Sequence, residues 1–185
     1  MLSNAIEQAA RIIECGGVIA YATDTVLGLG CDPHCREAVD RVLWLKQRSA
    51  DKGLILLVEN LDAMEDYTGP LNAVQRLEIN NAHSDVPTTW VVAAEEAVPT
   101  WITGTHDSVA LRIPRHATAG ALCRAAGAIV STSANVSSYP VLTDIRGLRE
   151  WFGPHLDYVL TGPAGTGVPS EVRELMGMKV YRHGS

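Results

Sequence analysis

Apolar residues recur at helical spacing over residues 3–15, where Ala5, Ile6, Ala9, Ile12 and Ile13 share one side, and Gly16-Gly17 ends the run. Residues 18–22 then form a short continuous apolar stretch, the pattern of a buried strand. Asp32-Pro33 signals a second helix, as an N-cap followed by proline in the first turn. This helix is predicted to run to about Gln47, with Ala38, Val39, Val42, Leu43 and Lys46 on neighbouring faces. Strands are predicted at 54–58, 88–94 and 108–113, and helices at 61–66 and 71–80. A helix at 117–126 ends at Gly127, a strand at 128–130 runs into Ser-Thr-Ser-Ala-Asn, and a helix follows at 144–152. Two short strands, at 158–160 and 178–182, close the chain. Strands and helices mix throughout, with no repeat and no linker, so the class is α/β or α+β around one twisted sheet, with residues 1–185 expected to form one domain.

Composition narrows the class without naming a chemistry. With 185 residues, 46% of them hydrophobic, the chain can bury a real core. The opening residues carry Glu7 and Glu14 and no apolar signal core, and runs such as 54–58 are too short for a bilayer. Of the four cysteines only Cys31 and Cys35 are close, and neither they nor the six histidines show metal-ligand spacing. Reduced thiols and a cytoplasmic location are therefore expected, with no membrane association. The formal net charge of −6 disfavours non-specific nucleic-acid binding unless a basic face is assembled locally.

That makes Lys46-Gln-Arg-Ser-Ala-Asp-Lys-Gly53 informative, since it places three cations at a helix-to-strand junction. Lys46 and Arg48 are explained equally by a helix C-terminus, where cations complement the macrodipole. Lys52, directly before a buried strand, is not, and the alternative is an anion clamp in which Arg supplies a planar fork and Lys a point charge. Thr23 and Thr25 follow a buried strand in Tyr-Ala-Thr-Asp-Thr, which is neither a P-loop nor a dinucleotide fingerprint. Ser131, Thr132, Ser133 and Asn135 also follow a strand, as a polar turn or as donors for a polar ligand. Arg112 stands alone in an apolar strand and needs an anion opposite it: a ligand carboxylate, a phosphate or a structural Asp.

Taken in order, Tyr-Ala-Thr-Asp-Thr, the cationic segment, Asp-Ser-Val-Ala-Leu-Arg, Ser-Thr-Ser-Ala-Asn-Val-Ser-Ser, Val-Pro-Ser-Glu and the late Tyr-Arg-His-Gly resemble the YrdC/TsaC family of threonylcarbamoyl-AMP synthases, in its single-domain bacterial form. The resemblance implies an open twisted α/β sheet with a concave cationic face. It implies that L-threonine, bicarbonate and ATP become threonylcarbamoyl-AMP and pyrophosphate, with Mg²⁺ accompanying ATP and no dedicated protein metal site. A transferase complex of the TsaD/TsaB/TsaE type would then modify tRNAs reading codons that begin with A, and weak tRNA binding would accompany this role. By the same resemblance Lys46 and Arg48 are the catalytic cations. They contact ATP together with Lys52, Ser108, Asn135, Thr143 and Arg182. Thr23, Thr25, Arg112, Ser133 and Ser170 face threonine.

The motif set is not literal. Ala22, Ser49 and Gly53 replace prolines, Ser138 replaces the last glycine of S-A-N-x-S-G, and Glu171 replaces the threonine of P-S-T. The family's W-P-G-P-[LV]-T segment appears as His83-Ser-Asp-Val-Pro-Thr-Thr-Trp90, which keeps Pro87 and Thr89. Two rival functions compete: an RNA-binding or ribosome-maturation factor using the cationic face, and a related enzyme fed by carbamoyl phosphate. Aromatics form only 5% of the chain, which weakens a stacking-based RNA reader. Acylphosphatase and zinc-finger segments, expected with the second rival, are absent.

Overall fold

A computed structural model of the chain describes residues 2–81, 87–163 and 165–184. The amino-terminal half contains α1 (Leu2–Glu14), β1 (Ile19–Tyr21), β2 (Gly28–Gly30), α2 (Arg36–Lys46), β3 (Ile55–Leu57), α3 (Leu61–Thr68), α4 (Ala73–Asn81) and β4 (Thr88–Ala93). The remainder contains α5 (Thr100–Thr103), β5 (Ser108–Arg112), α6 (Ala117–Ala126), β6 (Ile129–Ser133), α7 (Ile145–Phe152), β7 (Tyr158–Leu160), β8 (Glu171–Glu174) and β9 (Val180–Arg182). The strands join in one nine-stranded mixed sheet, ordered β7-β1-β2-β6-β3-β5-β4-β8-β9. The fold class is thus the expected open α/β sheet.

Side-chain alternation assigns each strand residue to a face. Leu56 pairs with Val130 and Leu111, and these belong with Leu29, Ala20, Trp90 and Val92 to the larger core. Helices α2, α3 and α7 cover that core with Val39, Val42, Met64, Leu148 and Phe152. Moving one residue along each strand reaches the other face. There Ile55 pairs with Ser131 and Ala110, Leu57 with Ile129 and Arg112, and Gly28 with Ser133 and Tyr21. Only part of this second face is covered. Ala9, Ala10 and Ile13 of α1 and Ala119, Leu122 and Cys123 of α6 seal Ile19, Tyr21, Leu57, Ile129 and Leu160 into a smaller core.

Strand β6 joins the two halves of the sheet. Its first three residues pair with β3 and its last two with β2. Gly30 permits close packing across β2, because a Cβ there would come 2.6 Å from the Val130 carbonyl and 2.8 Å from the Tyr21 ring.

Several element boundaries shift by one to three residues from the sequence expectation, and the start of α2 shows why. Helix α2 starts at Arg36 with Cys35 as N-cap, because the Asp32 carboxylate is used one turn earlier, where it accepts from the His34 N–H at 2.8 Å. Strand β2 and strand β8 were not anticipated. Gly-Leu-Gly and Glu-Val-Arg-Glu lack a strand signature and are held by their neighbours in the sheet.

Candidate active site

The uncovered part of the second face forms a cavity of about 270 Å³. Ten of the twelve residues expected at a site line it: Thr23, Thr25, Lys46, Arg48, Lys52, Arg112, Ser133, Asn135, Ser170 and Arg182. Among the described residues its lining includes those five cations and no Asp or Glu, which leaves the cavity with an excess of positive charge.

Lys46 forms one corner. Of the two readings left open for it, a solvated helix-end cation and an anion clamp, the first does not fit its burial, since it is only 3% exposed. Gln47 turns the chain out of α2 in the left-handed conformation, and the Lys46 side chain reaches the exit of β6. Its ammonium donates to the Ser133 carbonyl at 2.6 Å, the Asn135 carbonyl at 2.9 Å and Asn135 Oδ1 at 3.0 Å. The Lys46 carbonyl accepts from the Ser137 N–H at 2.8 Å. Ser133 Oγ donates to Asn135 Oδ1, and Asn135 Nδ2 to the Tyr139 carbonyl, each at 2.6 Å. All three ammonium protons are therefore spent on protein oxygens, so Lys46 fixes the Ser133–Asn135 turn while its charge adds to the cavity. Burial, and secondarily the charge of Arg48, pushes its pKa down to about 8.

Arg48 and Lys52 sit on the loop beyond. Arg48 Nη2 donates to the Gly53 carbonyl at 2.9 Å and, more weakly, to the Lys52 carbonyl at 3.3 Å. Its Nε is buried with no hydrogen-bond partner among the described residues, and burial lowers its pKa. Lys52 is exposed and ends a short 3-10 turn, Ala50–Lys52, which the Ser49 hydroxyl caps.

The opposite wall is a hydroxyl relay ending on Arg112. Thr23 Oγ1 donates to the Val26 carbonyl at 2.7 Å and accepts from the Thr25 N–H at 3.1 Å. Its only proton being used, it accepts from Thr25 Oγ1 across their 2.9 Å contact. Thr25 Oγ1 in turn accepts from Arg112 Nη1 at 3.2 Å. Arg112 is 5% exposed, and Asp24 Oδ1 lies 3.4 Å from its Nη2, so the structural Asp allowed by the sequence exists. Arg112 Nε is buried without a hydrogen-bond partner among the described residues. Nearby, Ser170 Oγ lies 2.8 Å from Thr89 Oγ1 and accepts from Arg182 Nη2 at 3.1 Å. The Arg182 pKa is lowered by partial desolvation and then by the charges of Arg112 and Arg48.

Comparison with known proteins follows the same lines. The model of the Sua5/YciO/YrdC family, described as telomere recombination, matches residues 11–184. The chain belongs to this family. It is 43% identical over 183 residues to a threonylcarbamoyl-AMP synthase of Cellvibrio japonicus, covering 98% of this chain and 96% of that protein. Among solved structures it is similar to P. abyssi Sua5 complexed with L-threonine, at 30% identity and a TM-score of 0.87, covering 97% of this chain and 54% of that one. The chain thus spans about half of the P. abyssi protein. E. coli YciO is similar at 26% identity and a TM-score of 0.85, covering 98% of this chain and 90% of that one.

Two expected residues lie outside the cavity lining. Ser108 is on the same face of β5 as Arg112 but at the other end of the strand, about 13 Å along it. Thr143 is exposed just before Asp144, the N-cap of α7. Of the altered His83–Trp90 segment, residues 83–86 lie outside the described residues, whereas Thr89 is fully buried against Ser170. The departures from the Sua5/YciO/YrdC motifs have local consequences. Gly53 has φ +60°, which a proline cannot adopt, so the cationic loop enters β3 by a path the usual motif forbids. Ser138 has φ +71° where the motif has glycine. Gly28, Ile55, Ser137 and Pro169 also line the cavity. Sheet register places Gly28 and Ile55, and the loops after β6 and before β8 bring in Ser137 and Pro169.

Proposed function

We propose that this chain is a threonylcarbamoyl-AMP synthase. L-Threonine and bicarbonate condense to N-carboxy-threonine with loss of water. A carbamate oxygen then attacks the α-phosphorus of ATP, the bond from that phosphorus to the α,β-bridging oxygen breaks, and pyrophosphate leaves. One observation carries the reading: five of the chain's 15 Lys and Arg residues line a single cavity whose lining, among the described residues, includes no carboxylate. A site for two anionic reactants, one of them a triphosphate, needs that imbalance. Family membership and the names of the relatives point the same way.

In this reading Arg48, Lys52 and Arg182 hold phosphate oxygens, with the unpartnered Arg48 Nε available to one of them. Arg112 takes the threonine carboxylate, and Thr25 keeps a lone pair for the amino acid. Lys46 holds the Ser133–Asn135 turn against the nucleotide. Ser108 and Thr143 extend the nucleotide contacts beyond the cavity. Mg²⁺ belongs to the triphosphate; among the described residues no group of three or more His, Cys, Asp or Glu is placed to hold a metal ion. The product passes to a threonylcarbamoyl transferase in the cytoplasm. Among the described residues no helix is long and apolar enough to cross a membrane.

The test is mass spectrometry of the protein with ATP, Mg²⁺, L-threonine and bicarbonate. The mass of threonylcarbamoyl-AMP is expected, and its absence from a folded preparation overturns the reading. An RNA-binding role has one observation in its favour. Trp44 and Trp151, 64% and 54% exposed, line a surface groove that shares Arg48 with the cavity. A steep salt dependence of tRNA binding without threonine-dependent ATP turnover would favour it.

A further inference from the structure

Arg112 presents a puzzle that the proposed function does not resolve. A guanidinium this deeply buried needs an anion, yet a fully neutralised one would have little attraction left for a ligand carboxylate. Its neighbours divide that task. Thr25 Oγ1 takes Nη1 at 3.2 Å, and Asp24 Oδ1 stands 3.4 Å from Nη2 in a contact that satisfies the ion pair but not hydrogen-bond geometry. Nε has no hydrogen-bond partner among the described residues.

Asp24 also approaches from the far side. Arg112 lines the main cavity, whereas Asp24 lines a separate small cavity of about 170 Å³ with Trp90, Ile113 and Arg115. Asp24 and Thr25 are consecutive, and their backbone is fixed from a third direction. The Asp24 carbonyl accepts from the Thr166 N–H at 3.1 Å and the Thr25 carbonyl from the Gly167 N–H at 2.7 Å. A rigid two-residue segment thus holds one terminal nitrogen by a hydrogen bond and the other by charge alone, leaving Nε unclaimed.

We propose that Asp24 is a positioning residue for Arg112: from behind, its carboxylate holds the guanidinium in the orientation that offers Nε and the remaining Nη2 proton to the threonine carboxylate. This rests on the function proposed above. Asp24 itself touches no substrate. Its loose contact is part of the device, since a tight bidentate pair would consume the fork that the ligand needs.

The test measures threonine-dependent pyrophosphate formation by the full chain, varying threonine and ATP separately. Asp24→Asn keeps the shape and removes the charge. It is expected to raise the threonine KM by about tenfold or more and to leave the ATP KM within about threefold, as for an orienting group near one ligand. Asp24→Glu, which restores the charge, is expected to recover most of that loss. Arg112→Gln and the double variant Asp24→Asn/Arg112→Gln complete a cycle. If Asp24 acts only through Arg112, the double variant falls within about twofold of Arg112→Gln alone.

That comparison stands even if Asp24→Asn fails to fold, because the double variant leaves no buried charge unpaired. An unchanged threonine KM in Asp24→Asn, an equal rise in both KM values, or a further loss in the double variant overturns the proposal. If the unsubstituted protein forms no threonylcarbamoyl-AMP, the reading of the whole site falls and this proposal with it. If it is active and Asp24→Asn matches it, only the role of Asp24 falls.

Discussion

Ile129 and Ser131 stand two residues apart on the same face of β6, yet they belong to different regions. Ile129 lies under α1 and α6, sealed with Leu57, Ile19 and Leu122 in a core that excludes water. Ser131 faces the cavity with Arg48, Arg112 and Ser133. One sheet face is built to opposite rules over two adjacent regions. Under the helices, apolar area removed from water stabilises the fold at about 25 cal/mol per Å². Beyond them the face gives up that gain, and it keeps like charges close and two guanidinium N–H groups unpartnered among the described residues. A binding site for anions requires these losses, which is why the comparison separates stability from activity.

The covered region should break first. Leu57→Ala is expected to cost about 2–5 kcal/mol, lowering the thermal midpoint by about 5–15 °C in calorimetry, with turnover retained at low temperature. An unchanged midpoint would mean that the region under α1 and α6 is not core. Lys46→Ala lies on the boundary between the regions. It removes one donor from each of three oxygens, two of which keep another, from the Asn135 N–H and from Ser133 Oγ, and should cost about 1–3 kcal/mol of stability as well as at least about tenfold in turnover. Turnover lost at full stability would make Lys46 a phosphate ligand and not the pin of the Ser133–Asn135 turn.

Arg48→Ala sharpens the contrast from the open side. Turnover should fall by at least about tenfold, near 1.4 kcal/mol in the barrier, while the thermal midpoint stays within about 2 °C. Full activity would reduce the cationic loop to a helix terminus. The smallest effect is expected at Ser138, whose φ of +71° suits glycine. Ser138→Gly should stabilise the fold by about 0.5–1 kcal/mol in denaturant titration without altering turnover. A loss of stability would show that the serine side chain, not the backbone, is what the turn requires.

Much of this was legible in the sequence where local and tertiary preferences agree. Helix α6 and strand β7 fall on the predicted residues because an Ala-rich stretch ending at Gly127 and an apolar triplet each have one consistent reading. Arg112 announced itself as a lone cation in an apolar strand, but its partner Asp24 is 88 residues away in sequence (112 − 24) and only the fold unites them. The burial of Lys46 was hidden for a related reason. Helix-end lysines are usually solvated, and nothing local shows that three oxygens from residues 133 and 135 will surround this one. Strand β2 was invisible because Gly-Leu-Gly has no strand propensity; its glycines make room for Tyr21 and the β6 backbone.

Pyrophosphate release from the purified protein, measured with each reactant withheld in turn, addresses the open region most directly. Release is expected only when ATP, L-threonine and bicarbonate are all present. Serine should be a markedly poorer substrate, because contact with the threonine methyl is worth about 1–3 kcal/mol. Equal release with serine, or with no amino acid, would show that the five cations around this cavity serve a different reaction.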